Sequence, residues 1–213
     1  MEKPKLRVWD IGAVESVLRD PLPGPEVQFR MTGLPGDLRF PYQDFEATAL
    51  KAGIMLLLYP RDGVPHLVFI QRTATVEHHK HQISFPGGRI EEGEDFERAA
   101  LRETREEIGV DPDLIRVIGR LTPLYIPPSN FCVYPVVGAA AEAPSFTPDP
   151  GEVAGIIEVP LPHLLDPGSI RSERRFILGA ERDVPYYGFG PHMIWGATAM
   201  VLAEFLEILK SRR

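Results

Sequence analysis

One helical segment constrains this chain more than any other feature. From about Asp95 to Ile108 the sequence DFERAALRETREEI has helical spacing, with Gly109 placed as a left-handed stop and Pro112 beyond it. With Glu103 set at 0° on a wheel advancing about 100° per residue, Phe96 falls at about 20°, Ala99 at about −40° and Ala100 at about 60°. These three define a contact stripe, and the two alanines allow another chain segment to come close. The same stripe carries Glu103, Glu106 at about −60° and Glu107 at about 40°. Leu101, Thr104 and Ile108 widen the packed side, whereas Asp95, Arg98, Arg102 and Arg105 make up the polar remainder. Three carboxylates therefore lie in line with the packing surface. Like charges at such spacings repel by roughly a few tenths of a kcal/mol per pair even in water, and burial without a partner costs much more. A hard divalent cation resolves the conflict, because Mg²⁺ takes carboxylate oxygens while keeping waters and substrate phosphates. The competing interpretation is a solvated charged face, which the alignment with the alanines and the preceding glycines disfavour.

Composition narrows the remaining classes. The chain has 213 residues, 44% apolar and 25% charged, so it can form a core and is not disordered in the main. Its net charge of −7 does not attract polyphosphate backbones, and no nucleic-acid partner is expected. A small anionic substrate would have to be met by local positive groups or a metal. Cys132 is the single cysteine, which excludes an internal disulfide; with no signal-peptide pattern, a reducing cytoplasmic setting is expected. The apolar stretch from Met193 to Leu209 is short for a bilayer span and carries Glu204 and Glu207, so no membrane partner is expected.

Along the chain, residues 1–49 read as an N-terminal arm, with a short helix over Asp10–Leu18 broken by PLPGP. The domain proper is expected over residues 50–213. The runs Gly53–Pro60 and His66–Arg72 form a hairpin about the turn RDG. Gln82–Phe85 reads as a short strand, and Leu114–Leu121 and Phe131–Ala140 as further strands separated by the rigid PLYIPPSN. Residues 121–167 hold ten of the 22 prolines, which predicts loops and edge strands. Gly155–Leu165 gives a strand and then a turn-like segment, and Met193–Lys210 a terminal helix. Strands dominate the middle and helices punctuate it, which is an α+β pattern. The first fifty residues and the terminal helix can cover the sheet, shape the substrate pocket or form a homodimer contact, and the sequence leaves all three open.

The glycine pair before the acidic helix completes a pattern. Gly88, Glu94, Arg102, Glu103, Glu106, Glu107, Gly109 and Val110 stand in register over 23 residues. This run resembles the Nudix hydrolase signature, with Thr104 at a position that is usually apolar. The resemblance implies an α/β/α sandwich with a mixed β-sheet and a catalytic loop-helix-loop, and hydrolysis of a nucleoside diphosphate linked to another group. It also implies Mg²⁺ or Mn²⁺ held by carboxylates, with Glu103 and Glu107 as leading ligands and Glu106 as a further ligand or water-positioning group. Arg102 would orient the carboxylates and Glu94 brace the loop against Arg102. Glu152, in a region from which related hydrolases often bring a carboxylate to the metals, is a candidate ligand or base and equally a solvated loop residue.

The stretch from Phe69 to Gly88 resembles the element preceding the box in the coenzyme A pyrophosphatase branch, through Arg72, Phe85, Pro86, Gly87 and Gly88. Ile70, Thr73, Glu77 and His81 depart from that pattern. Downstream, TPLYIPPSNFCVYPVVG, GEVAGIIEVPLPHLL and MIWGATAMVL also look like that branch, so the resemblance runs from about residue 50 to about 205. It implies cleavage of coenzyme A or its acyl derivatives into 3′,5′-ADP and (acyl-)4′-phosphopantetheine, with Arg72, Gly87 and Gly88 at the substrate. ADP-ribose or another nucleoside diphosphate derivative, and a non-catalytic Nudix-fold nucleotide-binding module, are the alternatives. His78, His79 and His81 lack the ligand set of a zinc site and read as a solvated loop. Tyr125, Phe131 and Trp195 are core or adenine-stacking groups, Ser129 and Asn130 lie in a loop that can face the substrate, and Cys132 is a packing residue.

Overall fold

The computed structural model describes residues 10–35, 44–73 and 82–211. His78, His79 and His81, together with the departure at Glu77, lie outside the described residues. In chain order the elements are α1 (Ile11–Val17), α2 (Pro25–Gln28), β1 (Leu50–Arg61), β2 (Val64–Arg72), β3 (Ile83–Ser84), β4 (Gly87–Arg89), α3 (Phe96–Ile108), β5 (Arg116–Arg120), β6 (Leu124–Ile126) and β7 (Phe131–Ala139). They continue as β8 (Val153–Pro160), α4 (Leu161–Leu165), β9 (Ile170–Ile177), β10 (Ala180–Phe189), β11 (His192–Ile194) and α5 (Gly196–Lys210). The described residues form a sheet of eight strands whose main order is β3-β2-β1-β7-β5, and a second sheet in the order β11-β10-β9. β1 and β7 run parallel while their other partners are antiparallel, so the sheet is mixed, as expected.

Period-two alternation in the central strands builds two cores. Met55, Leu57, Tyr59, Val68 and Ile70 point to α3, where they meet Ala100 and Ile108. Leu56, Leu58, Leu67 and Phe69 point to the other face, which α4 and α5 cover with Leu164, Val201, Phe205 and their neighbours. The near-continuous apolar run in β1 is what a strand buried on both faces requires. Helix α3 lies where its spacing predicts. Asp95 caps it by accepting from the backbone N–H of Arg98, and Gly109, at φ 73°, ends it.

Four expectations need correction. The terminal helix begins at Gly196, because Met193 and Ile194 belong to β11. PLYIPPSN contains β6, and the strand after α3 is shorter than expected because Pro112–Leu114 form a 3₁₀ turn. β7 is an interior strand despite Pro135. β6 pairs with residues 131–133 and β5 with residues 136–139, so the missing N–H falls between them, and the Pro135 carbonyl accepts from Leu121. The hairpin β9–β10, for which the sequence raises no expectation, carries no periodic signal, since β9 is largely exposed and needs no apolar face.

The N-terminal segment is packed into the fold. Val14, Val17, Leu18, Val27, Phe29 and Met31 are buried in the core that α5 covers. Glu204 of α5, fully buried, ties them down: it accepts from the Gly24 N–H, the Gln28 amide, and the N–H and hydroxyl of Thr122.

Candidate active site

The loop entering α3 and the helix itself bring most of the expected residues together. β4 pairs antiparallel with β1, which places Gly87 opposite Ile54 and Gly88 opposite Gly53. Gly87 has φ 150°, and a side chain there would run into the backbone of Gly53 and Ile54. This close approach aims the Gly87 N–H at the Glu107 carboxylate, which accepts it at 2.8 Å. A methyl group at Gly88 would overlap the Glu103 carboxylate. The obstructing atoms there belong to a side chain, so Gly88→Ala should move the carboxylate rather than break the fold. We expect turnover to fall by about 10²-fold, the cost of roughly 1 Å of misplacement, with a near-unchanged melting midpoint in parallel thermal scans.

The three box carboxylates differ in depth. Glu107 is almost wholly buried, with 2% of its side chain exposed; its other oxygen accepts from Arg72 Nη1 at 3.0 Å. Burial raises Glu107 to about 7, with repulsion from Glu103 and Glu152 adding to it and the Gly87 and Arg72 contacts opposing it. Glu103 is also pushed up, chiefly by burial, against the attraction of Arg102. Glu106, expected on the contact stripe, is 58% exposed. The face that α3 buries, Ala99, Ala100, Thr104, Glu107 and Ile108, is turned toward the Glu107 side of the stripe, which leaves Glu106 outside it.

Arg102 organises the outer part of the site. Its guanidinium forks onto Glu94, with both contacts at 3.0 Å, and reaches Glu103 at 2.8 Å, Glu106 at 2.9 Å and the Arg89 carbonyl at 3.0 Å. The arginine holds Glu94 below the usual carboxylate range. Glu94 in turn accepts the Glu91 N–H, which closes the loop before α3. Arg72 approaches this centre from β2 and lies 3.8 Å from Glu152 as well as against Glu107. Thr104 is buried and donates its hydroxyl to the Ala100 carbonyl, which satisfies the polar group at that usually apolar position.

The donor set is all carboxylate oxygen, which suits a hard cation. Among the described residues no three His, Cys, Asp or Glu side chains are already gathered as a metal cage; the acids turn to the two arginines instead. Gly88 lets the Glu103 carboxylate lie directly against the loop backbone, and two carboxylates are held deep enough to gain from a cation. Of the more distant candidates, Cys132 is buried packing, and Tyr125 stacks on Phe45 at 4.1 Å and meets Asn130 through its hydroxyl. Trp195 lies beneath Arg175.

With this geometry established, comparison with known proteins places the chain. The NUDIX domain family matches residues 48–178. The chain belongs to the Nudix family. Nudix hydrolase 15, mitochondrial, of Arabidopsis thaliana is 32% identical over 76% of this chain, and the match spans 59% of the plant protein's length. The mitochondrial coenzyme A diphosphatase of Homo sapiens is 33% identical over 76% of this chain and 71% of its own. A solved Nudix hydrolase from M. smegmatis superposes with a TM-score of 0.50 at 17% identity, covering 78% of this chain and 88% of that one, and so shares the Nudix fold. No described helix is long and apolar enough to cross a membrane.

Proposed function

We propose that this Nudix chain is a pyrophosphohydrolase that cuts coenzyme A or its acyl derivatives into 3′,5′-ADP and (acyl-)4′-phosphopantetheine. The observation that carries the hydrolytic part is the buried Glu107 carboxylate held beside Glu103 against the two glycines. The substrate part is supported by the resemblance around Arg72 and Phe85–Gly88, and by the name of the human relative.

In this reading Glu103 and Glu107 hold Mg²⁺ or Mn²⁺, with Glu106 and Glu152 as further oxygen donors at the open side. A cation held by these carboxylates would neutralise diphosphate charge and lower the pKa of a bound water. Arg102 fixes the carboxylates, and Glu94 fixes Arg102. Arg72 offers its guanidinium to phosphate oxygens, for which a planar fork is well shaped. The exposed Glu106 stands at the mouth of the site, where it accepts a proton from water. Gly87 and Gly88 let the diphosphate approach the backbone.

Incubation with coenzyme A and either cation should yield 3′,5′-ADP, read by phosphorus NMR. Finding none while ADP-ribose is cleaved would reassign the substrate. Glu106→Gln should lower turnover by about 10²- to 10⁴-fold, the range of a lost general base, with its melting curve unchanged. Activity equal to wild type would remove Glu106 from the mechanism.

A further inference from the structure

Beyond the carboxylate cluster, the molecule has a second concavity that this chemistry does not use. It is a groove of about 350 Å³ lined by Gln71, Gln82, Arg175, His192 and Trp195 together with apolar neighbours. Gln71 follows Phe69 onto the α5 side of β2, whereas Arg72, the next residue, turns to Glu107. β3 forms one wall, tied to the first turn of α5 by a hydrogen bond from the Thr198 hydroxyl to the Ile83 carbonyl. From Ile83 the chain needs only four residues to reach Gly87, at most about 13 Å when extended. The groove and the carboxylate site are therefore neighbours across the end of β2 and β3.

The chemistry of the groove points to an anion. None of its described lining residues is acidic, in a chain whose net charge is −7. The Arg175 guanidinium lies 4.0 Å over the Trp195 ring, and its Nη2 is held by Glu173 at 2.7 Å. A guanidinium pinned by a ring face and a single carboxylate presents its remaining N–H edge in a set direction, the geometry that suits a phosphate. Trp195 is also the residue before α5, a 15-residue helix with no side-chain N-cap, so the positive end of the helix comes to the same wall. A neutral pantetheine arm would make no use of this charge.

We infer that the groove binds the phosphate monoester on the nucleoside half of the substrate, the 3′-phosphate of coenzyme A, and so separates coenzyme A from nucleoside diphosphates that lack this group. The inference rests on the coenzyme A reading above and adds the residues that would enforce it. Arg175 is the main contact, Trp195 positions it, and Gln71, Gln82 and His192 supply further polar edges.

Calorimetric titration of the full chain with 3′,5′-ADP and with AMP tests the groove without needing turnover. Wild type should bind 3′,5′-ADP at least about tenfold more tightly, one charge-assisted contact being worth about that factor. Arg175→Gln should bring the ratio of the two affinities close to one. Gln71→Glu, which puts a carboxylate into the groove, should lower the ratio too and serves if Arg175→Gln does not fold. Equal affinities in wild type, or a ratio that withstands the folded variants, would overturn the inference. A separate hydrolysis assay distinguishes the two readings: no product from coenzyme A refutes the proposed reaction, whereas cleavage of coenzyme A and its 3′-dephospho form at equal kcat/KM refutes only the groove.

Discussion

Glu107→Gln is expected to lower turnover by about 10³-fold, since several kcal/mol of charge stabilisation is lost and each 1.4 kcal/mol or so is a factor of ten. The same change should remove a pH dependence from the stability of the metal-free protein. Burial lifts Glu107 from the ordinary 4.5 to about 7. Between these values the folded chain binds a proton that the unfolded chain has released, so stability falls as pH rises from about 4.5 to about 7 and stays low above. The loss is about 3 kcal/mol, and a glutamine does not titrate. Thermal melts of metal-free protein at pH 5 and pH 8 check this. The wild-type midpoint should drop further at the higher pH than that of the variant, in which the raised Glu103 and Glu204 still titrate, and Mg²⁺ should restore much of the wild-type loss. Parallel pH curves for the two proteins would show that the strain is not at Glu107.

Glu204→Ala should be the most damaging substitution for the fold outside the catalytic helix. The carboxylate is fully buried and accepts from Gly24, Gln28 and both donors of Thr122. Deleting it leaves those donors without an acceptor in the interior and opens a cavity, for an expected loss of about 3–5 kcal/mol. Urea denaturation should show the midpoint moving well to lower concentration with a similar slope. A change below about 1 kcal/mol would mean that water takes over the donors and that the N-terminal segment is held by its apolar contacts alone.

Legibility in the sequence followed the range of the forces. The cap at Asp95, the stop at Gly109 and the hairpin β1–β2 are decided by residues a few positions apart, and each was readable. The burial of Glu204 is also written in the sequence: Val201, Glu204 and Ile208 continue the three-and-four spacing of the apolar face. The hairpin β9–β10 offered almost nothing. Its turn is Leu178–Gly179, both at positive φ, and the middle of its outer strand, Arg171–Arg175, is wholly polar, with apolar residues only at the two ends.

From the sequence alone came the register of acids along α3, the glycines ahead of it and the expectation of a hard cation, because helical period and side-chain chemistry are local properties. The tertiary structure alone decided that Glu107 is the buried acid and Glu106 the exposed one, that Arg72 meets a carboxylate 35 residues away, and that the N-terminal arm belongs to the core. The physical reason is register: where β1, β4 and β2 sit against α3 sets which part of one acidic stripe is covered, and no spacing within the helix contains that information.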